Sequence, residues 1–227
     1  YKTHIRGKED KVKLYYTDPY THSDFILEQD HLFNVWCKQW GLEYDGETPQ
    51  IYLTQAEIDY FQLDKPILAI QPNGGPANLG YNYSWTRDIP EPTVNAVVEE
   101  FKDQYSIVHI KRDDQKKYPN TFHALDNFRS IAILLQLSSK RLLIDSFTQH
   151  LSAAYHLPST VCWVTTKPEC FGYEMHDNIL ANKFTLPIDF PNNLYQPFNL
   201  AQDIVSCPYK NLNEVFDVDK IINSIKK

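Results

Sequence analysis

The chain has 227 residues, 42% of them hydrophobic and 22% charged, with a formal net charge of −7. That length fits one large domain, or one domain with part of another, of ordinary soluble composition. The acidic balance argues against nucleic-acid binding, which needs a basic face, and no segment approaches the roughly 20 apolar residues of a membrane span.

The sequence opens at Tyr1 and holds one methionine, Met175. The numbering is therefore expected to begin inside a longer protein, and the lack of a signal peptide says little. Cys37, Cys162, Cys170 and Cys207 show no CxxC spacing, which disfavours a zinc site. Cys162 reads as a buried free thiol, and a cytoplasmic location is the favoured one.

KVKLYY (Lys11 to Tyr16) reads as a strand, followed by the turn-rich TDPYTHSD. From Phe25 to Trp40 the apolar residues Leu32, Val35, Trp36 and Trp40 recur at helical spacing, and Gly41 is a fitting stop. After a Gly/Pro/Asp loop, Thr54 and Glu57 form a capping-box pattern that starts a short helix.

KPILAIQ (Lys65 to Gln71) is a compact apolar strand, and PNGGPANLG after it is too rich in Gly and Pro for a helix. Pro92 sits in the first turn of a helix with Val94, Val97, Val98, Phe101 and Tyr105 on one face. SIVHI (Ser106 to Ile110) is a strand and KRDDQKKYPN a solvated loop. Asp126 is expected to cap a helix that turns Ile131, Leu134 and Leu135 inward.

Arg141 to Val164 then reads as a strand (Leu142 to Ile144), a polar turn (Asp145, Ser146), a helix opening near Thr148, and a strand from Thr160 to Val164. A polar loop, a short strand at NILAN, a Pro/Asn-rich tail and a terminal helix at about 217–226 complete the chain. No internal repeat or low-complexity segment is present. The alternation from Lys65 to Asn182 predicts an α/β fold, a Rossmann-like parallel sheet with helices on both faces.

Ligands of such sheets bind outside the carboxyl ends of the strands. Loops 72–88, 111–120, 145–150 and 165–176 are expected to converge there. The first holds Asn73, Gly74 and Gly75, neither a P-loop nor a GxGxxG fingerprint, and Arg87, suited to a phosphate or a surface ion pair. The second holds Lys111 among charges of mixed sign.

The third is the most specific. Asp145 ends a buried strand, where a carboxylate is costly unless paired or binding something. Ser146, Thr148, Gln149 and His150 add hydroxyls, an amide and an imidazole at a helix start, a place that favours anions. The same residues also fit plain N-capping by Asp145 or Ser146 with a packed His150. The fourth loop holds Thr165, Thr166 and His176, the last a candidate base or a simple surface group. No Ser–His–Asp order or metal-ligand cluster stands out, so hydrolase and metalloenzyme readings rank low.

The pattern strand–Asp145–Ser146–x–x–x–His150–x–x–Ala153–Ala154 resembles the donor-site signature of glycosyltransferase family 9, the heptosyltransferase-like family of GT-B fold. DNFRSIAILLQLSSK before it, LPSTVCWVTTKPECFGYEMHDNI after it and the early HLFNVWCKQWGLEYDGETPQIYLTQAE extend the resemblance from about Asp30 to Asn182. It implies that residues 1–62 are a remnant of an N-terminal lobe and its linker. Residues 63–227 would then be the nucleotide-sugar-binding lobe with its C-terminal helix.

It also implies inverting glycosyl transfer from a nucleotide-sugar substrate to a glycan or lipid-linked acceptor such as lipopolysaccharide. No metal, cofactor or nucleic acid would take part, and the setting would be the cytoplasm or the inner face of the membrane. By this resemblance Asp145 meets sugar hydroxyls, Ser146 and the amides through Phe147 to His150 hold the diphosphate, and Asn73–Gly75 lie against the phosphates. The family's general base belongs near the start of the N-terminal lobe, and nothing here matches it. Two departures are Phe147, where the family often has Gly, and Tyr83, where a Lys is common; Arg87 could replace that charge. A sugar-nucleotide epimerase and a non-catalytic relative are the other readings.

Overall fold

A computed structural model describes residues 7, 18–27, 29–59, 65–74, 84–123, 127–183 and 207–227. The expected strand at Lys11 to Tyr16, the capping Asp126, and Gly75 and Tyr83 of the first loop lie outside them.

The described N-terminal part is helical. Where one helix was expected from Phe25 to Trp40 there are two, α1 (Ser23–Ile26) and α2 (Leu32–Trp40). The cause is local: the His31 ring accepts from the Phe33 N–H at 3.2 Å and starts the second helix afresh. Gly41, at φ 69°, ends α2 in the left-handed conformation that glycine adopts at least cost. α3 (Gln55–Asp59) opens with the expected capping box: Thr54 N–H donates to Glu57 Oε2 at 2.8 Å, and Glu57 N–H to Thr54 Oγ1 at 3.4 Å.

The rest alternates strand and helix: β1 (Ile67–Ile70), α4 (Glu91–Phe101), β2 (Ser106–His109), β3 (Phe122–His123), α5 (Phe128–Leu137), β4 (Lys140–Ile144), α6 (Phe147–Ala154), β5 (Thr160–Trp163), α7 (Pro168–Phe171), β6 (Asp177–Leu180) and α8 (Val218–Lys226). β3 interrupts a stretch expected to be irregular, and α7 is a short helix between the last two strands. β3 has two residues, too few to show a period, and exists through its pairing with Val108 and His109 of β2. Asn127 caps α5, accepting from Ser130 N–H at 2.8 Å.

The six strands form one parallel sheet in the order β3-β2-β1-β4-β5-β6. Side chains alternate between its faces. Leu68, Ile70, Leu142, Ile144 and Cys162 pack with α4 and α8 through Val94, Val97, Phe101, Ile221 and Ile225. Ala69, Leu143, Val161 and Trp163 pack on the other face with α5, α6 and the N-terminal helices through Ile131, Leu135, Leu151, Phe25 and Val35. Helices therefore cover both faces, as the alternation predicted. Each large apolar side chain so buried stabilises the fold by about 1.5–3 kcal/mol. Among the described residues no helix is long and apolar enough to cross a membrane.

The strand order reverses between β1 and β4, which leave the sheet centre in opposite directions along the chain. A crevice opens at such a switch point, outside the carboxyl ends of the two strands. The residues at that point are Gln71 to Gly74 and Asp145 to Ser146.

Candidate functional site at the switch point

Asp145 follows β4 directly and is 7% exposed. Burial pushes its carboxyl above the usual carboxylate range, while the Thr166 side chain and the Arg87 charge partly oppose the shift. Here a carboxyl group is held dry at the tip of the central strand.

Ser146 occupies the N-cap position of α6 with extended backbone (φ −157°, ψ 174°), yet no side chain caps this helix. The plain capping reading therefore fails for Ser146. The Ser146 hydroxyl instead accepts from Gln71 Nε2 at 3.2 Å, and the Thr148 hydroxyl donates to Gln71 Oε1. Gln71 thus ties the end of β1 to the start of α6. The N–H groups of Phe147 and Thr148 lie in the first turn, where a helix has no carbonyls of its own to receive them. They carry the positive end of the helix dipole.

The described residues of the first loop, 72–74 and 84–88, lie on one side of this edge. Asp88 accepts from Gly74 N–H at 2.8 Å and from Asn73 Nδ2 at 3.0 Å. The Gly74 amide is therefore already engaged. A Cβ at Gly74 would stand 3.2 Å from Ile144 Cδ1 and 3.8 Å from Arg87 Cβ and Cδ, so glycine lets the loop settle between the two. This contact brings the exposed Arg87 to the tip of β4. On the other side Thr165 donates to Thr86 O through its N–H (3.2 Å) and its hydroxyl (3.0 Å), which fastens the β5 loop to the residue before Arg87.

Asn73, Gly74, Arg87, Asp145, Ser146, Phe147, Thr148, Thr165 and Thr166 are thus gathered at one edge. Three candidates are occupied elsewhere. Gln149 is fully buried and donates to Phe171 O at 2.9 Å. His150 meets the Tyr173 hydroxyl through Nδ1 at 3.0 Å, so the packed reading holds for this ring. Burial, with His31 and His176 nearby, holds it down to about 4. Lys111 lies past the end of β2, its ammonium donating to Arg112 O at 2.7 Å.

His176 is a correction. It is 5% exposed, bonds Gln149 O at 3.1 Å and lines a 560 Å³ cavity with Arg141 and Asp177 at the amino ends of β4 and β6. That is the wrong edge for a base acting at the switch point. The buried Arg141 guanidinium beside it donates to Leu135 O (3.1 Å), Pro158 O (3.1 Å) and Ser138 O, and closes the last turn of α5. Sequence reasoning missed Gln71 and Asp88. A polar residue ending an apolar strand was the available signal for Gln71; Asp88 gave none within its polar loop.

No protein-family model matches the chain, and no curated protein matches it in sequence. Among solved structures it is similar to ADP-heptose LPS heptosyltransferase II of E. coli, with 12% identity, a TM-score of 0.55, and 83% of this chain and 55% of that one covered. A glycosyl transferase family 9 protein of Veillonella parvula aligns at 12% identity and TM-score 0.55, covering 87% and 60%. The dodecameric iron-containing heptosyltransferase TibC, in complex with ADP-D-β-D-heptose, aligns at 12% identity and TM-score 0.54, covering 88% and 53%. The chain spans little more than half the length of these proteins. The likeness shows a shared fold, that of the heptosyltransferase-like proteins whose signature the Asp145 stretch resembles.

Proposed function

We propose that this chain is the donor-binding part of a glycosyltransferase that takes a sugar from a nucleoside-diphosphate carrier and passes it to a glycan or lipid-linked acceptor. The observation that carries the reading is the uncapped first turn of α6 set beside the buried Asp145 carboxyl and Arg87. The two groups suit the two halves of a nucleotide sugar. Helix-end amides and a cation attract a diphosphate, and a buried carboxyl exchanges hydrogen bonds with sugar hydroxyls. The ADP-heptose complex of TibC, a protein of the same fold, lends support.

In this reading the acceptor oxygen attacks the anomeric carbon from the face opposite the diphosphate. The bond from that carbon to the diphosphate oxygen breaks, and its electron pair leaves with the diphosphate. The configuration inverts. The Phe147 and Thr148 amides, the Ser146 hydroxyl and Arg87 stabilise charge growing on the leaving oxygen, a task for which donors fixed before the reaction cost no reorganisation. These groups supply the positive potential themselves, so the reading needs no metal ion. The step also needs a base to receive the acceptor proton.

Thermal unfolding in the presence of millimolar nucleoside diphosphates tests the proposal. A ligand at a hundred times its Kd adds about 2.7 kcal/mol, equivalent to a rise of roughly 5–11 °C for a chain of this size. Arg87→Ala is expected to reduce the rise. A melting temperature unmoved by every common nucleoside diphosphate would sink the reading.

A further inference from the structure

Two phenylalanines stand open to solvent at the edge where the diphosphate is placed. Phe147, the first residue of α6, is 39% exposed, and Phe128, the first residue of α5, is 55% exposed. Their ring centroids are 5.8 Å apart with the two planes tilted by 33°, so the rings meet in a shallow, open angle. Neither belongs to the core on either face of the sheet. Single exposed apolar side chains are ordinary on protein surfaces. Two in ring contact, beside an uncapped amide turn, make a local platform with a reason to be covered.

The two helix starts differ in a telling way. Asn127 caps α5 with its side chain, so that end is filled; α6 has no such cap. Phosphates drawn to the Phe147 and Thr148 amides would sit within one residue of the platform. The ring system tethered to a diphosphate is a nucleobase, flat and aromatic on both faces.

We infer that Phe128 and Phe147 form the nucleobase platform of the site, and that the site consequently accepts several bases. The inference rests on the proposed donor reading. Stacking on an aromatic ring uses the π-face that every base has, so it does not distinguish one base from another as edge hydrogen bonds would. Purines, with the larger face, bind somewhat better than pyrimidines.

Calorimetric titration of the chain at neutral pH with ADP, GDP, UDP, CDP and inorganic diphosphate tests this. The four nucleotides should fall within roughly tenfold of one another, each well below inorganic diphosphate in Kd. Removing one ring by Phe128→Ala or Phe147→Ala should weaken every nucleotide by roughly five- to a hundredfold and leave inorganic diphosphate unchanged. Phe147→Leu, which keeps an apolar side chain but no ring, should follow Phe147→Ala. Nucleotide affinities that survive both substitutions overturn the platform, as does one base bound more than a hundredfold tighter than the rest. Parallel loss of inorganic diphosphate in Phe147→Ala also overturns it, since the turn rather than the stack would then be at fault. If wild type binds neither nucleotides nor inorganic diphosphate, the donor reading itself fails.

Discussion

Asp145→Asn should make the protein more stable at neutral pH. The carboxyl is 7% exposed at the end of β4, and burial raises its pKa, with only partial relief from Thr166 and Arg87. Asparagine keeps the shape and removes the charge. Burying an incompletely compensated polar or ionised group costs about 1–3 kcal/mol in mutational series. Relief of part of that cost, about 1–2 kcal/mol, corresponds to a rise in melting temperature of roughly 2–8 °C for a chain of this size.

The pH dependence separates this cause from better packing. A carboxyl whose folded pKa is raised costs nothing below its unfolded value, near 3.8, because both states are then protonated. As pH climbs from there to the raised folded value the unfolded chain ionises first and stability is lost; above it the penalty is constant. Scanning calorimetry of both proteins at neutral pH and near pH 3.5 is the assay. The advantage of Asp145→Asn should be present in the first condition and vanish in the second. A variant less stable than wild type at neutral pH, or equally favoured at both, refutes the argument. Donor binding should fall in the same variant, since the group kept at a cost in stability is the one placed for function.

Two other outcomes are expected. Gly172→Ala should lose about 1–3 kcal/mol, read by urea unfolding, because its Cβ would lie 2.8 Å from Pro168 Cα, Cβ and O; an unchanged midpoint would show that the turn gives way freely. His109 and His150 are both held near about 4 by burial. A depressed histidine stabilises the fold above its unfolded pKa and loses that contribution as pH falls from about 6.5 toward 4. Stability should drop by about 2 kcal/mol per group between pH 7 and pH 5, and in His109→Gln the loss should be smaller by that amount.

The elements with a strong period were readable in the sequence. β1, α4, β4, α6 and β5 stand where their apolar patterns put them, and Thr54 with Glu57 forms the capping box that its spacing announces. β3 was not readable, because a two-residue strand is made by its neighbour rather than by its own residues. The break between α1 and α2 turns on a histidine ring used as a cap, a role that residue spacing does not show. At the site, chain order was enough to place Asp145, Ser146 and the first loop together, since parallel strands bring their carboxyl-end loops to one edge. It was not enough for His150 and His176, whose positions depend on Tyr173 and on the path from α7 to β6. Nor does spacing show that the Gly74 amide is already spent on Asp88.

The Gln71 bridge fixes more than position. The Thr148 hydroxyl gives its proton to the carbonyl end of the Gln71 side chain, and the amide end gives a proton to Ser146 Oγ. Both bonds point the same way along the chain, and reversing the amide would require each hydroxyl to turn, with Ser146 then donating and Thr148 accepting. The Ser146 hydroxyl, having accepted, has its own proton left to present, and each link polarises the next. In this sense Ser146 presents a donor to the crevice, set by groups two residues and one strand away. Gln71→Glu would put an acceptor-only carboxylate between the two hydroxyls, so that Ser146 would turn its proton toward residue 71 and no longer present it to the crevice.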